Sequence, residues 1–345
     1  MEDVLGGWTD PTRFAAFLAD WEPILARRVD EAVAAFSAID GVRGLILAGG
    51  VGRGEPWPLS DIDFLTISDD DRAAEVRAEV ARRSVTLHAR WLDEGWWTGL
   101  DIGKLGFDRR EVARVLGSDD PTLAELLQDD RWYHSLDKGY QGRPVFDVDG
   151  DAGKLSRWFS AQRFSLPVVR CRLARERREV EEAHQQLVAS LDRGDVLAGT
   201  TALRAAAKWL PIWLLEQWGE RDASLARVGT RFDEMAGARG RPDLVDLVNS
   251  LNDLDEGSVE RRMAGAPAWV WEWHNRSWRA RQQVGEAVTP LQHARDVLRV
   301  CTQFELRRVT ERPGDPWLAF PVTVEVLNEK ARLLSELLSD DRLPT

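Results

Sequence analysis

The stretch LILAGGVGRGEPWPLSDIDFLTI, residues 45–67, places two aspartates one residue apart among apolar side chains, shortly after a glycine-rich loop. Alternate residues of a strand project from the same face, so Asp61 and Asp63 are expected to lie side by side. Two neighbouring carboxylates repel each other unless a cation lies between them. Mg²⁺ prefers hard oxygen ligands of this kind and completes its shell with phosphate oxygens. The pair therefore predicts a metal site on a rigid strand.

The loop in front of the aspartates has the composition of a phosphate-binding turn. Glycines, which adopt left-handed backbone conformations easily, stand at positions 49, 50, 52 and 54. Successive N–H groups in such a loop form a nest for anions, and Arg53 offers a guanidinium to phosphate. A phosphate cradle beside a pair of metal ligands is typical of phosphoryl or nucleotidyl transfer, in which two metal ions clamp the attacking and leaving oxygens.

Taken together, GGVGRGEPWPLSDIDFL resembles the signature of the DNA polymerase β-type nucleotidyltransferase superfamily. Its residue pattern is especially similar to that of the nucleotidyltransferase domains of PII-uridylyltransferases. The resemblance implies that Gly49 and Gly50 form the phosphate-binding turn. It also implies that Asp61 and Asp63 hold Mg²⁺ in a two-metal site, and that Ser60 fixes the loop just before them. Gly50 replaces the commoner serine of this family.

The family usually has a third carboxylate on the next core strand, and here the sequence departs from it. We expect that strand at SVTLHARWL, residues 84–92, where one face would carry Thr86, His88 and Arg90 but no acid. His88 is a candidate general base, because the unperturbed pKa of histidine lies close to neutral pH. Asp93 or Glu94 reaching in from the end of the strand is an alternative.

The order of the predicted elements indicates an α/β N-terminal nucleotidyltransferase domain, with a short mixed sheet and helices, followed by an all-α helical bundle. The α/β part comprises a helix at 11–37, strands at 42–48 and 61–67, a helix over DDDRAAEVRAEVARR and the strand at 84–92. Helical patterns dominate from about Lys154 onward, with breaks or kinks expected at Pro167 and Pro211. The predicted domains are 1–150 and 151–345. A short apolar piece, WLAFPVTVEVL, is expected to form a strand or a turn.

The helical region resembles the bundles attached to small-molecule nucleotidyltransferases, such as those that modify aminoglycosides. In such enzymes the bundle presents basic residues to the triphosphate, which makes Lys208, Arg227 and Arg231 candidates for nucleotide binding. Arg204 and Ser224 are further candidates, and a solvated charged face explains these residues almost as well. Core packing is the simpler account of the 16 tryptophans, although Trp209 and Trp213 are spaced to line a cleft together.

Net charge and hydropathy limit the kinds of partner that the protein is expected to have. The formal charge of −12 argues against extended nucleic-acid binding. No apolar stretch approaches the length needed to span a membrane, and we expect a cytoplasmic protein. Cys171 and Cys301 are the only cysteines and are expected to be thiols.

The sequence therefore predicts Mg²⁺-dependent transfer of a nucleoside monophosphate, AMP from ATP, to a hydroxyl of a small molecule such as an aminoglycoside. Two alternatives stay open. The first is nucleotidylylation of a protein acceptor, as the uridylyltransferase-like sequence motif suggests. The second is a catalytically idle nucleotide-binding or toxin–antitoxin-type module, as the absence of a third acid at 84–92 suggests.

Overall fold

A computed structural model describes residues 11–94, 98–103, 105–118, 120–220, 226–309 and 323–339, with the backbone alone at 120–121 and 302–309. The chain divides into two compact units. The first comprises Met1–Cys171 with Ala280–Glu286, and the second comprises Arg172–Arg279 with Ala287–Thr345. A small mixed sheet with helices forms the first unit and helices form the second, in agreement with the predicted layout.

The expected helix at 11–37 is two helices, α1 (Pro11–Ala19) and α2 (Trp21–Ser37). Pro23 explains the break, because a proline has no N–H to donate to the carbonyl of residue 19 and its ring clashes with that carbonyl. The chain turns at Asp20, and Ile24 then donates to the Asp20 carbonyl at 3.2 Å. Both helices bury the apolar face that the periodicity predicts.

The sheet of the first unit has the order β3-β2-β1-β5, and β4 also pairs with β2. Its strands are β1 (Val42–Ala48), β2 (Ile62–Ser68), β3 (Leu100–Asp101), β4 (Gly106–Asp108) and β5 (Arg143–Asp147). β1 is antiparallel to β2 and to β5, whereas β3 and β4 run parallel to β2. The strands predicted at 42–48 and 61–67 are therefore present, the second displaced by one residue.

The strand predicted at 84–92 is wrong, because these residues belong to helix α4 (Ala73–Asp93). Val85 and Thr86 favour a strand locally, but no glycine or proline interrupts the helix that begins at Ala73. The buried residues of α4, which are Val76, Val80, Leu87 and Trp91, follow the helical period. Val85 is 70% exposed, so its β-branched side chain finds no sheet to pack against.

Further helices complete both units. The first unit adds α3 (Gly49–Arg53), α5 (Arg109–Leu116), α6 (Asp120–Leu126), α7 (Asp130–Gly139) and α8 (Asp151–Gln162). The remaining helices are α9 (Leu166–Asp192), α10 (Val196–Gln217), α11 (Val228–Ala238), α12 (Pro242–Leu251), α13 (Glu256–Ala264), α14 (Ala268–Gln283), α15 (Pro290–Val309) and α16 (Val324–Leu338). The chain breaks between α8 and α9 next to Pro167, whereas α10 continues through Pro211.

Each unit has its own apolar core. In the first, the sheet packs on helices through Ile46, Leu65, Ile67, Phe107, Trp132 and Phe159. In the second, the core includes Leu187, Leu203, Leu210, Trp213, Phe232, Leu244 and Leu334.

Cys171 and Cys301 carry thiols, as expected. None of the helices in the described ranges is both long and apolar enough to cross a membrane. Ser224 and residues 317–322 of the expected strand or turn lie outside those ranges, and Val324 onward is helical.

Asp233 on α11 is a buried carboxylate that costs the second unit stability near neutral pH. Burial, opposed by Arg299 and Arg295, raises its pKa from 3.8 to about 6. The folded state therefore binds this proton more tightly than the unfolded state, so stability falls as pH rises from about 4 to about 6. A pKa difference of this size lowers the free energy of unfolding by at most roughly 3 kcal/mol once Asp233 is ionised.

Asp233→Asn is therefore expected to raise the free energy of unfolding by about 1 to 3 kcal/mol at pH 8 and to have little effect at pH 4. Urea unfolding at the two pH values measures the difference. Asp243→Asn is the matched control, because that exposed carboxylate has a pKa lowered by its hydrogen bond to Arg241 and gains nothing from neutralisation. A gain for Asp233→Asn that is equal at both pH values would contradict this account.

Candidate functional site

The glycine loop packs directly on the second aspartate of the pair. Ala48 and Asp63 are partners in the antiparallel register of β1 and β2, and Gly49 follows with a φ of +61°. A Cβ on Gly49 would lie 1.9 Å from Asp63 Oδ2. Position 49 therefore needs glycine for two reasons, its left-handed backbone and the space that the carboxylate occupies.

The end of the loop is held by short-range hydrogen bonds. Ser60 N donates to the Trp57 carbonyl at 2.9 Å, and Trp57 N donates to Ser60 Oγ at 3.0 Å. Ser60 is itself buried. This reciprocal pair fixes the turn that delivers the chain into β2, so the position of Asp61 is set before the strand begins.

Asp61 and Asp63 converge on one ammonium group. Lys138 Nζ on α7 lies 2.7 Å from Asp63 Oδ1 and 4.0 Å from Asp61 Oδ2. The side chain of Asp63 is 5% exposed and that of Asp61 is 57% exposed. The two carboxylates thus share one side of the strand, with one buried in the sheet and the other open to solvent.

A third carboxylate, which the sequence reasoning missed, lies next to the pair. Asp101 on β3 is the parallel register partner of Asp63 on β2, and it is half-buried. The charge of Asp101 acts on both Asp63 and Lys138. A two-residue strand is too short to show an alternating pattern, so the only available signal was an acid in TGLDIG shortly after the helix.

Residues 84–92 form a helix rather than the expected strand beside Asp63, and the role of His88 as a general base stays a prediction. His88 lies on helix α4, half-buried, with its ring 6.1 Å from that of Trp91, and burial lowers its pKa. Asp93 ends the same helix. Glu94 pairs with Arg27 at 2.9 Å. The strand position that His88 was expected to fill beside Asp63 belongs to Asp101.

Burial and the neighbouring negative charges favour a cation next to Asp63. Burial, with the charges of Asp61 and Asp101 adding to it, raises the pKa of Asp63 from 3.8 to about 6, against the attraction of Lys138. Burial disfavours the ammonium of Lys138, but the surrounding carboxylates outweigh it and raise the pKa of that lysine. A positive charge at this point stabilises the ionised form of Asp63.

Arg28 anchors the strand that carries Asp101. Its guanidinium is fully buried, and Nη1 donates a short hydrogen bond to Thr98 Oγ1. Nη2 donates to the Trp91 carbonyl at 3.4 Å, and the guanidinium lies over the Trp91 ring. Burial lowers its pKa to about 10. Arg28 therefore ties α2 and α4 to the residues just before β3, which places Asp101 beside Asp63.

The donor set suits magnesium. Within the part of the chain that the structure describes, no three histidine, cysteine, aspartate or glutamate side chains are grouped closely enough to hold a metal ion. Mg²⁺, however, uses one or two protein carboxylates and takes its other ligands from phosphate and water. Asp61 and Asp63 supply two such carboxylates around a point that already holds a cation, the Lys138 ammonium. The residues therefore fit the predicted metal, which stays a prediction.

The other predicted residues of the loop differ in their surroundings. Gly50 lies in α3, where a Cβ would come within 3.3 Å of the Glu55 carbonyl. Arg53 Nε donates to Glu55 at 3.2 Å, and its Nη1 donates to the Asp137 carbonyl at 3.3 Å. Arg53 thus contributes to the structure of the loop, and phosphate binding by Arg53 and Gly50 stays a prediction.

The predicted residues of the bundle lie in the second unit. Lys208 Nζ lies 4.8 Å from the Trp209 ring centroid. Arg231 pairs with Glu220 at 2.7 Å, and Arg227 precedes α11. Nucleotide binding by Lys208, Arg227 and Arg231 stays a prediction. Arg204 and Trp213 are both buried, and Trp213 is part of the core of that unit, which excludes it from an open cleft.

Comparison with known proteins supports a relationship of the nucleotidyltransferase type. An 87-residue part of the chain, 25% of its length, is 34% identical to the bifunctional uridylyltransferase/uridylyl-removing enzyme of Vibrio parahaemolyticus serotype O3:K6 (strain RIMD 2210633). The match spans only 9% of that enzyme's length. No protein-family model matches the chain, and no solved structure matches it.

Proposed function

We propose that this protein is a magnesium-dependent nucleotidyltransferase that transfers AMP from ATP to a hydroxyl of a small molecule, such as an aminoglycoside. The observation that carries the proposal is the pairing of Asp63 on β2 with Asp101 on β3, with Asp61 just before β2 and Gly49 packed against Asp63. The similarity to a uridylyltransferase supports the same class of reaction.

In this reaction the acceptor oxygen attacks the α-phosphorus of the nucleotide while the bond to the β-phosphate oxygen breaks, and pyrophosphate leaves. Asp61 and Asp63 would hold Mg²⁺, which neutralises charge on the phosphates. The buried side chain of Asp63 provides a fixed ligand, and the exposed side chain of Asp61 faces the solvent side from which the nucleotide arrives. Asp101, beside Asp63, accepts the proton of the attacking hydroxyl.

The choice of a small acceptor rests on charge. A net charge of −12 disfavours a polyanionic acceptor such as nucleic acid and favours a cationic one. Transfer of UMP to a protein is a second candidate, favoured by the similarity to a uridylyltransferase. The absence of an acid at 84–92 suggests the catalytically idle module, whereas the position of Asp101 beside Asp63 supports catalysis.

Incubation with each α-labelled nucleoside triphosphate and Mg²⁺, with and without a panel of small acceptors and candidate proteins, tests the proposal. Label from ATP on a small molecule, together with release of pyrophosphate, is the expected result. Label from UTP on a protein would favour the second candidate. Nucleotide binding without transfer to any acceptor would contradict catalysis and revive the idle module.

Asp101→Asn is expected to lower the transfer rate by about 10²- to 10⁴-fold, the usual contribution of a general base. The variant keeps the shape of the side chain, so its midpoint of thermal unfolding is expected to stay within a few degrees of that of the unmodified protein. Asp93→Asn, at the exposed end of α4, serves as the control and is expected to leave the rate unchanged. The reverse pattern would restore Asp93 as the third acid.

A further inference from the structure

Lys138 reaches the carboxylates from a distant part of the sequence. It lies on α7, 75 residues after Asp63, and donates to Asp63 Oδ1 at 2.7 Å. The lysine side chain is 36% exposed, whereas that of Asp63 is 5% exposed. A divalent ion bound to the same oxygen would have to take the place of this ammonium.

Hydrogen bonds to Asp137 hold the end of α7, where Lys138 contacts Asp63. The carboxylate of the preceding residue, Asp137, accepts a hydrogen bond from Arg163 Nε at 2.5 Å, and Arg163 is fully buried. The carbonyl of Asp137 accepts from Arg53 Nη1 at 3.3 Å. The backbone beside Lys138 is therefore held by contacts with the glycine loop and with the end of helix α8.

Electrostatic repulsion prevents the Lys138 ammonium and a metal ion from binding Asp63 at the same time. An ammonium and Mg²⁺ repel each other strongly at the separation that shared contact with one carboxylate imposes. The Lys138 ammonium lies 2.7 Å from Asp63 Oδ1, so it makes room for a metal ion at that oxygen by moving to another anion.

We propose that Lys138 competes with the metal ion for Asp63, and that nucleotide relieves the competition by offering its phosphates to the displaced ammonium. This inference rests on the proposed function and adds to it an order of assembly. Free metal binds weakly to the protein alone, and metal and nucleotide bind tightly together. The lysine side chain is long and flexible, so its head can leave Asp63 while the helix stays in place.

Binding of Mn²⁺, measured by electron paramagnetic resonance with and without a non-hydrolysable ATP analogue, tests the inference. Lys138→Met is expected to bind Mn²⁺ roughly tenfold or more tightly without nucleotide, a usual size for coupling between two ligands. The analogue is expected to increase Mn²⁺ affinity less in Lys138→Met than in the unmodified protein. Lys138→Arg, which keeps the charge, is expected to retain weak binding.

Lys154→Met is the matched control, because Lys154 pairs with Asp151 on the surface of α8 and should not influence the metal. Equal or weaker Mn²⁺ binding by folded Lys138→Met, with binding lost in Asp61→Asn, overturns the competition but leaves the proposed metal site intact. Absence of Mn²⁺ binding by every variant, with or without nucleotide, overturns both the competition and the proposed function.

Discussion

Replacing Asp61 with asparagine is expected to reduce nucleotidyl transfer by about 10³-fold or more, since metal-ion stabilisation of a phosphoryl transition state amounts to several kcal/mol. The amide keeps the size of the side chain but removes the charge that would bind Mg²⁺. Release of pyrophosphate from ATP in the presence of acceptor measures the loss. Higher Mg²⁺ concentration is expected to recover part of the activity, because the defect lies in metal affinity.

The same variant separates catalysis from folding. Asp61 is 57% exposed, and its charge is one of the causes of the raised pKa of Asp63. Removing that charge relieves repulsion, so the midpoint of thermal unfolding is expected to stay unchanged or to rise slightly. Asp93→Asn is the control with the same chemical change on α4. Undiminished transfer by Asp61→Asn would refute the assignment of Asp61 as a metal ligand.

Gly49→Ala is expected to disturb stability as well as activity. The added methyl would lie 1.9 Å from Asp63 Oδ2, and a left-handed φ alone costs an alanine about 1 to 2 kcal/mol. Moving Asp63 away also breaks its ion pair with Lys138. We expect the free energy of unfolding to fall by about 2 to 4 kcal/mol, with transfer reduced at least tenfold.

Gly50→Ala provides the comparison within the same loop. Its Cβ would meet the Glu55 carbonyl at 3.3 Å, a contact that a small shift relieves. Alanine also favours a helix by about 1 kcal/mol over glycine, so we expect the free energy of unfolding to change by less than that amount in urea unfolding. Equal stability of the two variants would show that the close approach of Gly49 to Asp63 is not a structural requirement.

The first half of the site could be predicted because its signal is local. Two apolar runs, a glycine loop and two aspartates at alternate positions all lie within residues 45–67, and β1 and β2 form there. The pairing of Ala48 with Asp63 follows from that order of elements. Asp61 lies just before β2 and Asp63 within it, and both approach Lys138.

The second half could not be predicted because its contacts join distant residues. Lys138 is 75 residues from Asp63, and no local pattern marks a lysine that will reach a sheet. Asp101 belongs to a strand of only two residues, whereas the longer pattern at 84–92 predicts a strand and forms a helix. The burial of Arg28 contradicts the usual exposure of arginine, and only the fold reveals its contact with Thr98.

A crystal structure with Mn²⁺ and a non-hydrolysable ATP analogue tests the central claim most directly, because Mn²⁺ is located by its anomalous scattering. The account predicts a metal ion bound to the carboxylates of Asp61 and Asp63, the triphosphate over Gly49, and the Lys138 ammonium moved from Asp63 to a phosphate. A nucleotide bound elsewhere, with Lys138 still on Asp63 and no metal peak at either aspartate, would contradict it.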